Sequence, residues 1–144
     1  MLDALDYIAS FEKKARRSLN EGNFMDAKLE LDEAMRVIKN TEFSPDEIIS
    51  LSIIMKKIFN DYIELHDFSK SLEVLVYINR YTRSRLNLTS DLKSLLKLIP
   101  SKFDISLFDK ELRQIAKNNW ELIELINLLE ENYKKLVEKN INNK

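Results

Sequence analysis

Cysteine is missing from all 144 residues, glycine occurs once (Gly22), proline twice (Pro45, Pro100) and histidine once (His66). Without cysteine there are no disulfides and no thiolate metal ligands, which excludes a disulfide-stapled secreted scaffold and a Cys-type zinc site. A single histidine removes His-His and His-Cys pairs too, so no metal site is expected, and its place in an inter-helix turn reads as solvent-facing. An Arg-x-x-x-x-His nuclease motif is ruled out, because residues 59–63 hold no arginine. One glycine cannot build a loop that cradles phosphates, and no serine stands in a nucleophile-elbow sequence. No catalytic residue, cofactor or enzymatic activity is therefore expected.

Long apolar runs are missing as well. Nothing approaches the ~20 uninterrupted apolar residues of a membrane span, and the stretch 122–129 is broken by Glu124 and Asn127. The N-terminal Met1-Leu2-Asp3-Ala4-Leu5-Asp6 has neither the basic start nor the apolar core of a secretory signal. These readings predict a cytoplasmic protein that does not enter a membrane. A strong basic excess, the usual footprint of a nucleic-acid binder, is absent too. The net charge is −1, with 10 basic and 14 acidic side chains in residues 1–72 and 13 and 10 in residues 73–144.

What is present says helix. The chain is 44% apolar, enough for a single domain over residues 1–144 with a real core. Leu5, Ile8, Phe11, Ala15 and Leu19 recur at spacings of three and four, one apolar stripe of a helix over residues 2–20. Gly22 then reads as a left-handed cap that reverses the chain. A second helix over 24–39 turns Phe24, Ala27, Leu31, Ala34, Met35 and Ile38 inward. Ser44-Pro45-Asp46-Glu47 is a capping box with proline at the first helical position. It opens a third helix, to about residue 65, with Ile48, Leu51, Ile54 or Met55, Ile58 and Tyr62 inward. His66-Asp67 leads into a fourth helix carrying Leu72, Leu75, Ile78 and Tyr81.

Residues 87–90 break the pattern, and Pro100-Ser101 stops a short fifth helix over 91–99, where a hinge or linker is expected. Ser106 with Asp109 caps a sixth helix to about 117. A last one opens at Trp120 and carries Leu122, Leu125, Leu129, Tyr133 and Val137. The chain thus divides into two hairpins (1–86), C-terminal helices (87–137) and a tail (138–144) too polar to pack, which is expected to fray.

Three turns share a design: Gly22-Asn23-Phe24, His66-Asp67-Phe68 and Asn118-Asn119-Trp120 each place a polar pair before an aromatic that opens a helix, at offsets of 44 and 52 residues. In the first hairpin Phe11, Ala15, Phe24, Ala27, Leu31 and Ala34 alternate bulky, small and aromatic side chains. The pattern resembles the tetratricopeptide repeat, in which small residues sit where two helices cross and aromatics where they interlock. The second hairpin follows it with Met55, Ile58, Tyr62, Phe68, Ser71 and Leu75, but Phe59 and Ile78 replace small residues and would push its helices apart. The third has Glu111 and Ile123 at those positions, and no second helix is followed by the family's proline. The offsets also exceed the family's ~34 residues. The resemblance covers about residues 5–85 and implies an all-α fold of six or seven helices in stacked antiparallel hairpins, wound as a right-handed superhelix. A generic helical bundle is the alternative.

The resemblance further implies an adaptor or scaffold whose concave surface, lined by the first helix of each hairpin, takes a peptide or helix of a partner protein. That surface would present Glu12, Lys13, Arg16 and Asn20 from the first hairpin and Lys56, Lys57, Asn60 and Glu64 from the second. Four basic groups and two amides suit the carboxylates of a peptide. The arrangement looks like the Lys/Asn set with which repeat proteins of this family grip the C-terminal tails of chaperones. The competing reading is that these charges solvate an exposed face. Arg80, Arg83 and Arg85 with Tyr77 and Tyr81 form a second basic run. It either complements the C-terminus of the fourth helix or contacts RNA or DNA, as in a small subunit of a nucleoprotein complex. Carboxylate pairs such as Glu30 with Glu33, Glu130 with Glu131, and Asp104 with Asp109 read as solvated faces with ion pairs along the helix. Trp120 and the stripe behind it read as core, or in part as the face of a homodimer if no further repeat covers them.

Overall fold

In the computed structural model, which describes residues 3–142, the chain is all-helical. The described residues form α1 (Ala4–Asn20), α2 (Phe24–Lys39), α3 (Pro45–Glu64), α4 (Phe68–Tyr81), α5 (Thr89–Leu98), a 3-10 turn (Ser106–Phe108), α6 (Asp109–Ala116) and α7 (Trp120–Asn142). The chain forms two compact units, the first ending at Arg83 and the second starting at Ser84. Both junction residues are left-handed, with φ of 52° and 61°, so the chain leaves the α4 direction abruptly.

The first unit is two hairpins, α1 with α2 and α3 with α4, joined mainly where α1 lies on α3. The two hairpin turns are the same object. Gly22 N–H donates to Leu19 O (3.1 Å) and Asn23 N–H to Ser18 O (2.8 Å); 44 residues later His66 N–H donates to Ile63 O (2.9 Å) and Asp67 N–H to Tyr62 O (3.0 Å). This is the Schellman closure, which needs a left-handed residue one place past the helix. Gly22 supplies it at φ 78° and His66 at φ 57°. His66 is exposed as expected, its ring set edge-on to Phe68 at 5.9 Å. The third turn differs: Lys117 takes φ 52° and donates to Arg113 O, and Asn119 caps α7 through its side chain, accepting from Leu122 N–H at 3.1 Å.

Cross-links between the hairpins fix their relative direction. Lys28 pairs with Asp67 and Lys39 with Glu73, while Tyr81 Oη donates to Ile38 O (3.1 Å), so α2 and α4 run the same way. Since each is antiparallel to its own partner, α1 and α3 also run alike. The core between them is Ile8, Ala15, Ala27, Leu31, Ala34, Ile38, Leu51, Met55, Ile58, Phe59, Tyr62, Leu72, Leu75 and Ile78. The capping box at the start of α3 is complete, with Ser44 Oγ accepting from Glu47 N–H and Glu47 from Ser44 N–H.

In the second unit α5, α6 and α7 pack on one another around Leu92, Leu95, Leu96, Ile105, Leu112, Ile115, Leu122, Ile126 and Leu129. Asp104, not Ser106, caps the 3-10 turn ahead of α6, accepting from Ser106 N–H at 2.9 Å. Three expectations of burial are corrected, at Phe24, Trp120 and Val137. Phe24 is 59% exposed and Trp120 76%, because each opens its helix just past a tight turn, where no neighbouring helix covers that position. The tail differs as well: α7 continues as helix to Asn142, though every residue from Val137 on is exposed, and residues 143–144 lie outside the described ones.

Candidate functional site

The residues expected to line one surface divide into two groups. Lys13, Asn20, Lys57, Asn60 and Glu64 are exposed, whereas Arg16 and Lys56 are half-buried and Glu12 is buried at 6% exposure. The reason lies in the helix period. Ile8, Glu12, Ala15 and Leu19 are spaced four, three and four, so Glu12 occupies a core position of α1 and points at α3. It meets Asp61, which is 2% exposed on the flank of the α3 stripe.

Arg16, one turn beyond Glu12, closes this seam. Its Nη1 donates to Asp61 Oδ1 (3.1 Å) and Glu64 Oε1 (2.8 Å), and its Nη2 to Glu64 Oε2 (2.8 Å) and Asn20 Oδ1 (3.2 Å). The two-pronged bond with Glu64, the fork geometry at which arginine excels, holds the guanidinium fully charged and depresses the Glu64 carboxyl. Arg16 thus holds both Asn20 and Glu64, residues expected to line the same surface. What remains outward is Lys13 from α1 with Lys57 and Asn60 from α3, beside the half-buried Lys56.

Asp61 is pushed up to about 8, first by burial and then by its hydrogen bond with Glu12, against the opposing pull of Arg16. Asp61 Oδ2 is buried and accepts from no donor. Two buried carboxyls and one arginine therefore meet where the first hairpin packs on the second.

The second unit carries a similar set. Arg113 Nε donates to Asp109 Oδ1 (2.8 Å), and its Nη2 to Asn127 Oδ1 (2.7 Å) and Glu130 Oε2 (3.4 Å). Burial and the Asp109 hydrogen bond raise Glu130 to about 7, and the same hydrogen bond, with help from Arg113, lowers Asp109. The acid paired with Glu130 in space is thus Asp109 from α6, not Glu131. Of the other acids singled out in the sequence, Glu30 accepts from Ser18 Oγ (2.7 Å), Glu33 is paired with Arg36 and Tyr7, and Asp104 holds Ser106. All serve local structure, and no group of three or more His, Cys, Asp or Glu side chains among the described residues is disposed to hold a metal ion.

On α3 the exposed face adds something composition does not show. Ile49 and Ile53, 71% and 58% exposed, stand one and two turns before Lys56, Lys57 and Asn60 on the same side of the helix. Of the Arg/Tyr run, Arg80 lies over the Tyr77 ring (5.6 Å), Tyr77 stacks on Tyr81 (6.0 Å), and Phe43 meets Tyr81 edge-on (6.2 Å). Arg83 ends the first unit and Arg85 lies in the second, both exposed. No known protein family matches this sequence, and neither a curated protein nor a solved structure matches it. No described helix is long and apolar enough to cross a membrane.

Proposed function

We propose that the first unit is a non-catalytic interaction module, part of a cytoplasmic adaptor or scaffold, whose α1–α3 face takes a peptide or helix of a partner protein. The carrying observation is the outward row of α3: Ile49, Ile53, Lys57 and Asn60 put two exposed apolar side chains, an amine and an amide on one stripe. An amphipathic ligand with apolar anchors followed by carboxylates complements that row. The tetratricopeptide-like reading belongs to the same proposal, supported by the duplicated turn and by like helices stacked side by side. The nucleic-acid alternative through Arg80, Tyr81 and Arg83 has the weaker footing, since the first unit holds 12 basic against 15 acidic side chains.

A photo-crosslinking residue placed at Ile53 in the native cell extract tests this reading. The expected result is a discrete protein adduct, lost when Lys13→Glu and Lys57→Glu are introduced together with helicity unchanged. No adduct, or one indifferent to both reversals, removes the proposal.

A further inference from the structure

We propose that the α1–α3 seam is a proton-dependent latch: the buried Asp61 carboxyl keeps a proton against Glu12, and losing it at alkaline pH unseats the first hairpin from the second. The geometry leaves little choice. Glu12 and Asp61 come from different hairpins and are both buried, and Asp61 Oδ2 has no donor. Arg16 acts on Asp61, and it serves Glu64 with both prongs at the same time. Two like charges in contact away from water are strongly disfavoured unless a proton lies between them.

The neighbouring charges are otherwise engaged. Glu12 and Arg16 face Asp61 from α1, and Glu64 faces it from its own helix. On α2, Asp32 is turned to the Tyr62 hydroxyl (2.6 Å); on α4, Glu73 is paired with Lys39 and Lys70. The sign follows from the direction of the shift. Asp61 holds its proton more tightly folded, with a value near 8, than unfolded, in the ordinary carboxylate range. Folding therefore takes up a proton, the stability this supplies is complete below the unfolded value, and it is lost as pH rises through the folded one. The latch does not depend on the peptide-binding reading, because it concerns how the hairpins hold together and not what they hold.

Carboxyl-carbon NMR of the whole chain, titrated from pH 3 to 10, reads the latch directly. One aspartate signal, identified by its disappearance in Asp61→Asn, should titrate several pH units above the other carboxylates. Denaturation of the unaltered chain should show the folding constant falling about tenfold per pH unit between the two values. Asp61→Asn, which keeps a hydrogen bond across the seam without a titrating proton, should remove that slope, and Glu12→Gln, which takes away one of the causes that raise Asp61, should reduce it. An Asp61 signal titrating among the ordinary carboxylates overturns the proposal, as does an undiminished slope in both variants. Should either variant fail to fold, the titration of the unaltered chain still decides.

Discussion

Replacing Tyr62 with phenylalanine isolates the polar bond that ties α3 to α2. The ring is completely buried, and its hydroxyl donates to Asp32 Oδ1 at 2.6 Å, with burial and that carboxylate both holding the phenol far above its usual range. Hydrogen bonds to charged groups contribute about 1.5–3 kcal/mol. The lower end applies here, because Asp32 is only half-buried and water can take the place of the hydroxyl, while a phenylalanine ring fills the same volume. Tyr62→Phe should therefore cost about 1.5 kcal/mol, which for a unit of this size lowers Tm by about 6–12 °C. A double-mutant cycle with Asp32→Asn, followed by thermal melting, assigns the loss to the pair: most of it should reappear as coupling energy. A Tyr62→Phe protein as stable as the parent, or a coupling near zero, would refute the claim that this bond joins the hairpins.

The duplicated turn makes a paired test. An added Cβ at Gly22 meets no atom within 4 Å, so Gly22→Ala is charged only for its backbone and should cost about 1 kcal/mol, whereas His66→Gly, at the matching left-handed site, should be neutral or gain about 0.5 kcal/mol; losses of equal size in both melts would mean the turns are not equivalent. In the second unit Glu130 is raised to about 7, so the stability its proton supplies is whole below the ordinary carboxylate range and is lost as pH rises through 7. Glu130→Gln should flatten that part of the pH profile, and a slope that persists would place the proton elsewhere.

Helix boundaries were the most legible feature of the sequence because they are local. Ser44-Pro45-Asp46-Glu47 and Gly22 act through bonds to neighbours a few residues away, and the structure places both where the spacing says. Glu12 was misread as a groove residue because its type, not its spacing, was given the greater weight; position four from Ile8 and three from Ala15 marks it as core. Asp61 carried a weaker signal, an acid between Phe59 and Tyr62, and only the packing of a distant helix decides whether such a flank is wet. Phe24 and Trp120 were placed in the core for their bulk, but burial at the first residue of a helix depends on what crosses beyond the turn, and no local pattern reports it.

The departures of the second hairpin from the first also have a physical logic. At the 44-residue offset Ala27 corresponds to Ser71, and both are fully buried. Serine is tolerated there because its hydroxyl donates to Asp67 O one turn back at 2.9 Å, which satisfies it without a partner from another helix. Ala15 and Ala34 correspond to Phe59 and Ile78, larger by most of a side chain, and these were expected to wedge the helices apart. They are buried, alongside Met55, whose counterpart Phe11 stays half-exposed, its ring covered by Tyr7 at 4.8 Å and by the Lys14 ammonium at 4.7 Å. Bulk that the first hairpin leaves at its surface, in Phe11 and Phe24, is carried inside by the second. A core tolerates redistribution of this kind while volume and patterning are kept. Restoring the small residue alone, as in Phe59→Ala, should therefore act as cavity creation and not as repair of a repeat.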